Sequence, residues 1–423
     1  MTIAATRKFR LAGLPAWPDG GRLLRNLAAM GLSQLAVRAS RLVTVLVLTR
    51  QLRPADLGAA AIVLTVYELL AVFTRNGIAA KVVQTADDDL QTVARTAHWM
   101  IWAVCLALLA VQVAIAMPVA LLFHDPSLAP PIALMGLIYL ATPLCALQTA
   151  MLQREGRLGR IALVGGAQVV ADNLLSAALA LAGLGLWAIV LPKLLVAPLW
   201  VLNRWAHPWR CRGPVTFRGW RAIARFGRGV LGVEMLGTLQ ANIDTVLVGV
   251  LLGVDAVGLY YFAFNAGLGI TLGFVNAFAA AVYPHLCAAR GDQAALAARF
   301  RQTKLLLACT MVPLVLAQVV LAPVYVPLLY GEAWRAAIPV MMIICLSALP
   351  RPFTSATSQM LAALGRTGTD FAWQAVMTIV LIASLLVGAQ RGIVGVAVAI
   401  LFTQVVVGGT FCLVARARLP RPA

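Results

Sequence analysis

The sequence predicts an all-α, polytopic membrane protein with about twelve transmembrane helices in two six-helix lobes related by an axis along the membrane normal. Three observations predict it. Composition is the first: 61% hydrophobic residues, 12% charged residues and a mean hydropathy of +0.89 leave a 423-residue chain too little polar surface for a soluble domain. The second is a succession of apolar runs, each of about the 20 residues a helix needs to cross a roughly 30 Å hydrocarbon core. Strand-like alternation is lacking, which favours a helical bundle over a barrel. The third is that Lys and Arg gather in every other link.

Breaks at Gly, Pro and charge clusters place the spans in order at 27–49, 59–80, 96–122, 131–152, 161–183, 185–203, 226–252, 258–282, 303–329, 337–363, 371–389 and 392–414. With the N-terminus inside, 25 of the 34 Lys and Arg fall in or at the edge of inside links and tails. Outside links hold Arg50, Arg53, Arg335 and Arg391, and Arg38, Arg41, Arg75, Lys193 and Arg351 fall within spans. Both termini are therefore expected in the cytoplasm, and the net charge of +19 is read as orientation and contact with anionic membrane lipid. A nucleic-acid partner is the poorer reading, because the charge is divided among short separate loops.

Residues 1–25 read as a retained basic cytoplasmic tail, since Arg7, Lys8, Arg10, Arg22 and Arg25 precede no apolar run ending in a cleavage site. The N-terminal lobe is expected over 26–203, a cytoplasmic inter-lobe linker over 204–225, the C-terminal lobe over 226–414 and a cytoplasmic tail over 415–423. The linker segment Phe217 to Phe226 reads either as an interfacial amphipathic helix or as plain aromatic and basic anchoring.

The two lobes are inferred from an internal repeat. Leu52–Gly58 matches Leu252–Gly258, Leu121–Asp125 matches Leu328–Glu332, and Gly156–Gly159 matches Gly365–Gly368. The matches keep their order at offsets drifting only from 200 to 209, which implies two halves in the same orientation with a substrate path between them.

Candidate site residues come from charges inside apolar spans, where a charged side chain costs on the order of 2.5–3.5 kcal/mol and therefore faces a partner or a wet cavity. Gln34, Arg38 and Arg41 stand at i, i+4 and i+7 on one face of the first span, and Glu68 and Arg75 share a face of the second. Planar guanidinium groups hold an anion well through paired donors, which makes this polar face a candidate for binding an anionic substrate. Arg41 pairing with Glu68 or Arg75 across the hairpin, or arginines reaching to lipid headgroups, are the structural alternatives. Lys193 and Arg351 sit beside Pro192 and Pro352, where helix interruptions accommodate a cationic side chain, and both are further candidates for binding substrate. Asp172, Glu234 and Asp244 are candidates for ion coupling or for hydrogen bonding between lobes; Asn265 and Asn276 align on the eighth span.

Catalysis and cofactor binding find no support. HExxH, GxSxG and P-loop patterns are missing, His98, His124, His207 and His285 are isolated, and the seven cysteines form no CxxC spacing or metal-type cluster.

The ordered segments TRQLRPADLG, LQREGRLGRIAL, ALAGLGLWAIV, LLYGEAWRAAIP and LAALGRTG resemble the polysaccharide transporter (Wzx-type flippase) family of the multidrug/oligosaccharidyl-lipid/polysaccharide exporter superfamily. The resemblance runs from about Arg25 to the last span. It implies a flippase that moves undecaprenyl-pyrophosphate-linked oligosaccharide across the bacterial inner membrane for surface polysaccharide synthesis, with polysaccharide polymerase and glycosyltransferases as working partners. Twelve spans lack the terminal pair of fourteen-helix members, and with it a lipid-groove contribution. Arg-Pro-Ala-Asp-Leu-Gly also departs from the Gly and aromatic that members often carry in the first loop. The alternatives are a drug or cation antiporter, whose cavity is expected to be net acidic, and a membrane polymerase or ligase, which is expected to carry a large outside loop.

Overall fold

The computed structural model describes residues 20–75, 77–86, 88–209, 215–216, 219–287, 293–364 and 367–417. Residues 1–19 of the basic tail, 210–214 and 217–218 of the linker, including Phe217, Gly365 of the third repeat match, and 418–423 lie outside the described residues, as does the side chain of Asn276.

Among the described residues the chain forms twelve helical rods and no strand, matching the twelve expected spans in order. They are α1 (Gly20–Gln51), α2 (Pro54–Ala71, with Val72–Arg75 and Ile78–Gln84), α3 (Leu90–Leu122) and α4 (Pro126–Leu128, Ala129–Met135, Gly136–Leu140 and Thr142–Arg154). Next come α5 (Leu158–Leu181), α6 (Trp187–Val196 and Ala197–Ala206), α7 (Trp220–Leu252) and α8 (Val254–Cys287). The last four are α9 (Gln293–Tyr325 and Val326–Tyr330), α10 (Glu332–Ala337, Ile338–Ser347 and Arg351–Ala363), α11 (Thr367–Ala389) and α12 (Gly392–Ala417). Among the described residues ten helical stretches are long and apolar enough to cross a bilayer, and α4 adds an eleventh if its parts, bent by 45°, count as one span.

Several rods outrun the apolar windows. Helix α1 begins at Gly20 and α7 at Trp220, because arginines do not interrupt a helix once it has left the hydrocarbon. Residues from Trp220 to Phe226 are thus the first turns of α7, not a separate interfacial helix. Breaks inside rods follow local chemistry: Gly77, at φ 75°, divides α2, and Pro350 and Pro352 mark the division of α10.

The internal repeat has a physical basis. In the first turns of α2 and α8, a Cβ at Gly58 would collide with the Val254 carbonyl, and one at Gly258 with the Pro54 carbonyl. Pro54 and Val254, like the two glycines, are 200 positions apart, so the contact is reciprocal, as a two-fold axis between α2 and α8 requires. The second repeat match behaves the same way. His124 (φ 56°) and Gly331 (φ 99°) both turn the chain with positive φ at equivalent positions, just before Asp125 and Glu332. Equivalent rods also pack alike: α5 with α6 as α11 with α12, α3 with α4 as α9 with α10, and α4 with α6 as α10 with α12.

The core is distributed unequally. At the end holding the α1–α2 turn, one continuous apolar cluster joins both halves, including Leu57, Phe123, Val257, Phe262 and Trp334. Trp334 Nε1 donates to the Thr49 carbonyl at 2.6 Å, and Arg50 donates through Nε and Nη2 to the carbonyls of Leu329 and Leu328, each at 3.1 Å. Toward the linker end the core divides into one cluster around Ile78, Tyr139 and Trp209 and another around Leu286, Phe300 and Met360. One continuous core thus joins the halves at the turn end, whereas at the linker end the core is divided in two, with Ile223 of α7 packed into the first of the two clusters.

Candidate functional site

Helix α1 presents two polar faces with different uses. Ser33, Ser40 and Thr44 are buried against α5: Ser33 Oγ donates to the Ala162 carbonyl at 2.8 Å, Thr44 Oγ1 to the Asn173 carbonyl at 2.8 Å, and Asn173 Nδ2 to Ser40 Oγ at 2.9 Å. This anchoring turns Gln34, Arg38 and Arg41 outward, and all three are exposed. Arg41 Nη2 donates to Asn265 Oδ1 of α8 at 3.1 Å. Arg38 makes no side-chain hydrogen bond or ion pair among the described residues. Helix α7 lies along α2, but its counterpart α1 does not lie along α8 among the described residues, and Arg41 spans that looser seam.

Asn265 lines a cavity of about 180 Å³ between the halves, together with Glu68 of α2 and Asn242 and Asp244 of α7. Asp244 is buried; its Oδ1 accepts from the Thr245 N–H at 2.7 Å and its Oδ2 from the Tyr260 hydroxyl. Asp244 and Phe264 form the partition to a second cavity of about 470 Å³ among α7, α8, α10, α11 and α12, into which Arg351 opens.

The other charges pair away from this centre. Arg75 of α2 meets Glu234 of α7 at 3.3 Å, joining the halves toward the linker end. Both side chains are substantially exposed, so the bridge contributes at most about 1 kcal/mol. Lys193 of α6 meets Asp172 of α5 at 3.0 Å, leaving Asp172 Oδ1 buried without a partner among the described residues. The sequence offers Lys193 and Arg75 as substrate-binding candidates and Asp172 and Glu234 for ion coupling or for bonding between lobes; the structure joins them in two ion pairs, of which Arg75–Glu234 links the halves. Arg41 and Glu68 lie near one cavity but form no ion pair within 4 Å among the described residues.

Sequence reasoning overlooked Tyr260, Gln240, Gln374 and Gln404, which surround Asp244 and Arg351. They carry no charge, and a search for intramembrane charges passes over them. Isolated amides in apolar runs were the available signal. No group of three or more His, Cys, Asp or Glu side chains gathers as a metal site among the described residues.

A family model described as polysaccharide biosynthesis protein matches residues 47–339. The lipopolysaccharide biosynthesis protein WzxC of Escherichia coli (strain K12) is 24% identical over 43% of this chain and 37% of its own length. The succinoglycan biosynthesis transport protein ExoT of Rhizobium meliloti (strain 1021) is 24% identical over 76% of this chain and 65% of its own length. The chain thus spans less than two thirds of these curated relatives. Among solved structures, the lipid II flippase MurJ in an inward closed conformation superposes with a TM-score of 0.78 at 12% identity, over 92% of this chain and 88% of that one. An inward-facing multidrug resistance MATE family transporter gives 0.70 at 16% identity, over 94% and 98%. At such identities the likeness establishes the fold.

Proposed function

The chain belongs to the polysaccharide biosynthesis protein family, and from that premise we propose that it is a flippase for undecaprenyl-pyrophosphate-linked oligosaccharide in the bacterial inner membrane. The observation that carries the reading is the outward face of α1, where Arg38 and Arg41 stand beside the seam between α1 and α8. A polyprenyl tail is as apolar as the bilayer and need not leave it, whereas the pyrophosphate and its sugars must cross a medium that excludes charge. A seam between helices lets the tail remain in lipid while guanidinium groups hold the pyrophosphate by paired donors. With the linker end in the cytoplasm, the orientation expected from the Lys and Arg asymmetry, the end at which the core is divided faces the leaflet on which the substrate is made. The two halves, taken as residues 26–203 and 226–414, would then rock about the Gly58–Gly258 contact. Curated relatives named for lipopolysaccharide biosynthesis and succinoglycan transport support this class of cargo.

In cells lacking the gene, the completed lipid-linked repeat unit should accumulate on the cytoplasmic leaflet and surface polysaccharide should disappear. Measurement is by extraction of lipid-linked intermediates with and without a plasmid copy. Normal surface polysaccharide without precursor accumulation overturns the reading.

Ion coupling belongs to the same proposal, and Asp244 is its best seat. Asp172 and Glu234 each hold a cationic partner, whereas Asp244 lines both cavities and is held by neutral donors. Asp244→Asn is expected to change the pH or Na⁺ dependence of export, read as polysaccharide yield across external pH and Na⁺ at matched protein level. A profile identical to the parent removes Asp244 from coupling.

A further inference from the structure

The larger cavity contains groups that the pyrophosphate reading leaves unused. Arg351 lines this cavity with no side-chain hydrogen bond and no ion pair within 4 Å among the described residues, Asp244 and Tyr260 acting on its charge from farther away. Across the cavity, Gln240 Nε2 is committed to the Gln374 carbonyl at 2.9 Å and to Thr378 Oγ1. The side-chain amides of Gln374 and Gln404 face the same space without a partner among the described residues. Phe264 supplies an aromatic wall. Buried polar groups are ordinarily satisfied, so a cavity-lining guanidinium with no hydrogen bond or close ion pair, beside free amides, is fitted to a ligand in that space.

We propose that this cavity of about 470 Å³ in the C-terminal half binds a carboxylate-bearing sugar of the translocated glycan, with Arg351 on the carboxylate and Gln374 and Gln404 on the ring hydroxyls. Its volume lies within the usual range for small-molecule sites, about 300–1,000 Å³, and its mixture of apolar wall and few placed polar groups is of that kind. A carboxylate fits better than a phosphate. One planar guanidinium matches one planar carboxylate, whereas a pyrophosphate would bring its greater charge against Asp244, which lines the same space. Position agrees with chemistry: the smaller cavity shares Asp244 and Phe264 with this one and includes Asn265, the partner of Arg41. A glycan whose pyrophosphate lies at Arg41 would pass its sugars toward Arg351. The assignment thus rests on the flippase reading for its ligand, and Arg351 is a specificity-determining residue within it.

The test uses the purified full-length chain in detergent and measures binding of three probes by calorimetry: a glucuronate-containing disaccharide, its neutral glucose counterpart and inorganic pyrophosphate. The acidic disaccharide should bind about tenfold or more tightly than the neutral one. Arg351→Gln should erase that preference, Arg351→Lys should retain part of it, and Gln404→Ala should weaken both sugars alike. Equal binding of the two sugars, binding of neither, a preference that survives Arg351→Gln, or an Arg351-dependent site that favours pyrophosphate overturns the proposal. Precursor accumulation in cells is scored separately. A chain that binds the acidic sugar through Arg351 yet restores no export leaves this site standing and fails the flippase reading instead.

Discussion

Replacing Arg38 and Arg41 together by alanine is expected to abolish export of lipid-linked glycan while the protein stays in the membrane at its normal level. Hydrogen bonds to charged groups contribute about 1.5–3 kcal/mol each, so losing both guanidinium partners should weaken head-group binding by about a hundredfold or more. Folding should suffer little, because both side chains are exposed and the face that secures α1 to α5 is carried by Ser33, Ser40 and Thr44. Lysine at both positions keeps the charge but loses the paired geometry, and partial export is expected. The rival account has the arginines lock the hairpin against Glu68, so adding Glu68→Gln to an arginine variant would then restore function. Since Arg41 is bonded to Asn265 and forms no ion pair with Glu68 among the described residues, no rescue is expected. Surface polysaccharide and accumulated precursor, measured at matched protein level, decide between them.

Gly58→Ala should have the second large effect, and through a different route. A methyl group there meets the Val254 carbonyl and the backbone of Gly258, and neither can swing aside as a side-chain tip would. Overpacking of this kind costs about 1–3 kcal/mol or more. It should lower the thermal midpoint of the purified protein and reduce export, because the halves are proposed to rock about this contact. Gly258→Ala should behave alike, since the contact is reciprocal. Gly165→Ala is the control: nothing lies within 4 Å of its added methyl group, and alanine favours the helix. If Gly58→Ala melts and exports like the parent while Gly165→Ala does the same, the close approach of α2 and α8 is not part of the working cycle.

The twelve rods were legible because each demands a long apolar run, and bilayer thickness sets its length whatever lies beside it. The repeat was legible only as three weak matches. Its cause, two backbones touching at Gly58 and Gly258, leaves just small residues and a turn as its trace. Rod ends were misjudged at Gly20 and Trp220, where the helix continues into water and hydropathy carries no information. The candidate charges were legible individually, but their partners were not. Glu234 lies 159 positions from Arg75, and nothing along the chain says that α2 and α7 bring them to 3.3 Å. Lys193 and Asp172 are only 21 apart but belong to different rods. Partner choice follows helix packing, which hydropathy does not encode. The neutral groups around Asp244 and Arg351 were hidden for the further reason that Gln and Tyr inside a span cost less than a full charge and stand out less.

The measurement that bears most directly on the central claim is reconstitution. The purified chain is placed in liposomes with an undecaprenyl-pyrophosphate-linked oligosaccharide bearing a fluorescent sugar, and a membrane-impermeant quencher reports how much head group is reachable from outside. The account predicts that the parent exchanges the probe between leaflets far faster than empty liposomes, and that the Arg38→Ala, Arg41→Ala double variant, incorporated to the same density, falls to the empty-liposome rate. Exchange by the double variant as fast as by the parent, or none by a folded parent under any imposed pH or Na⁺ gradient, would contradict it.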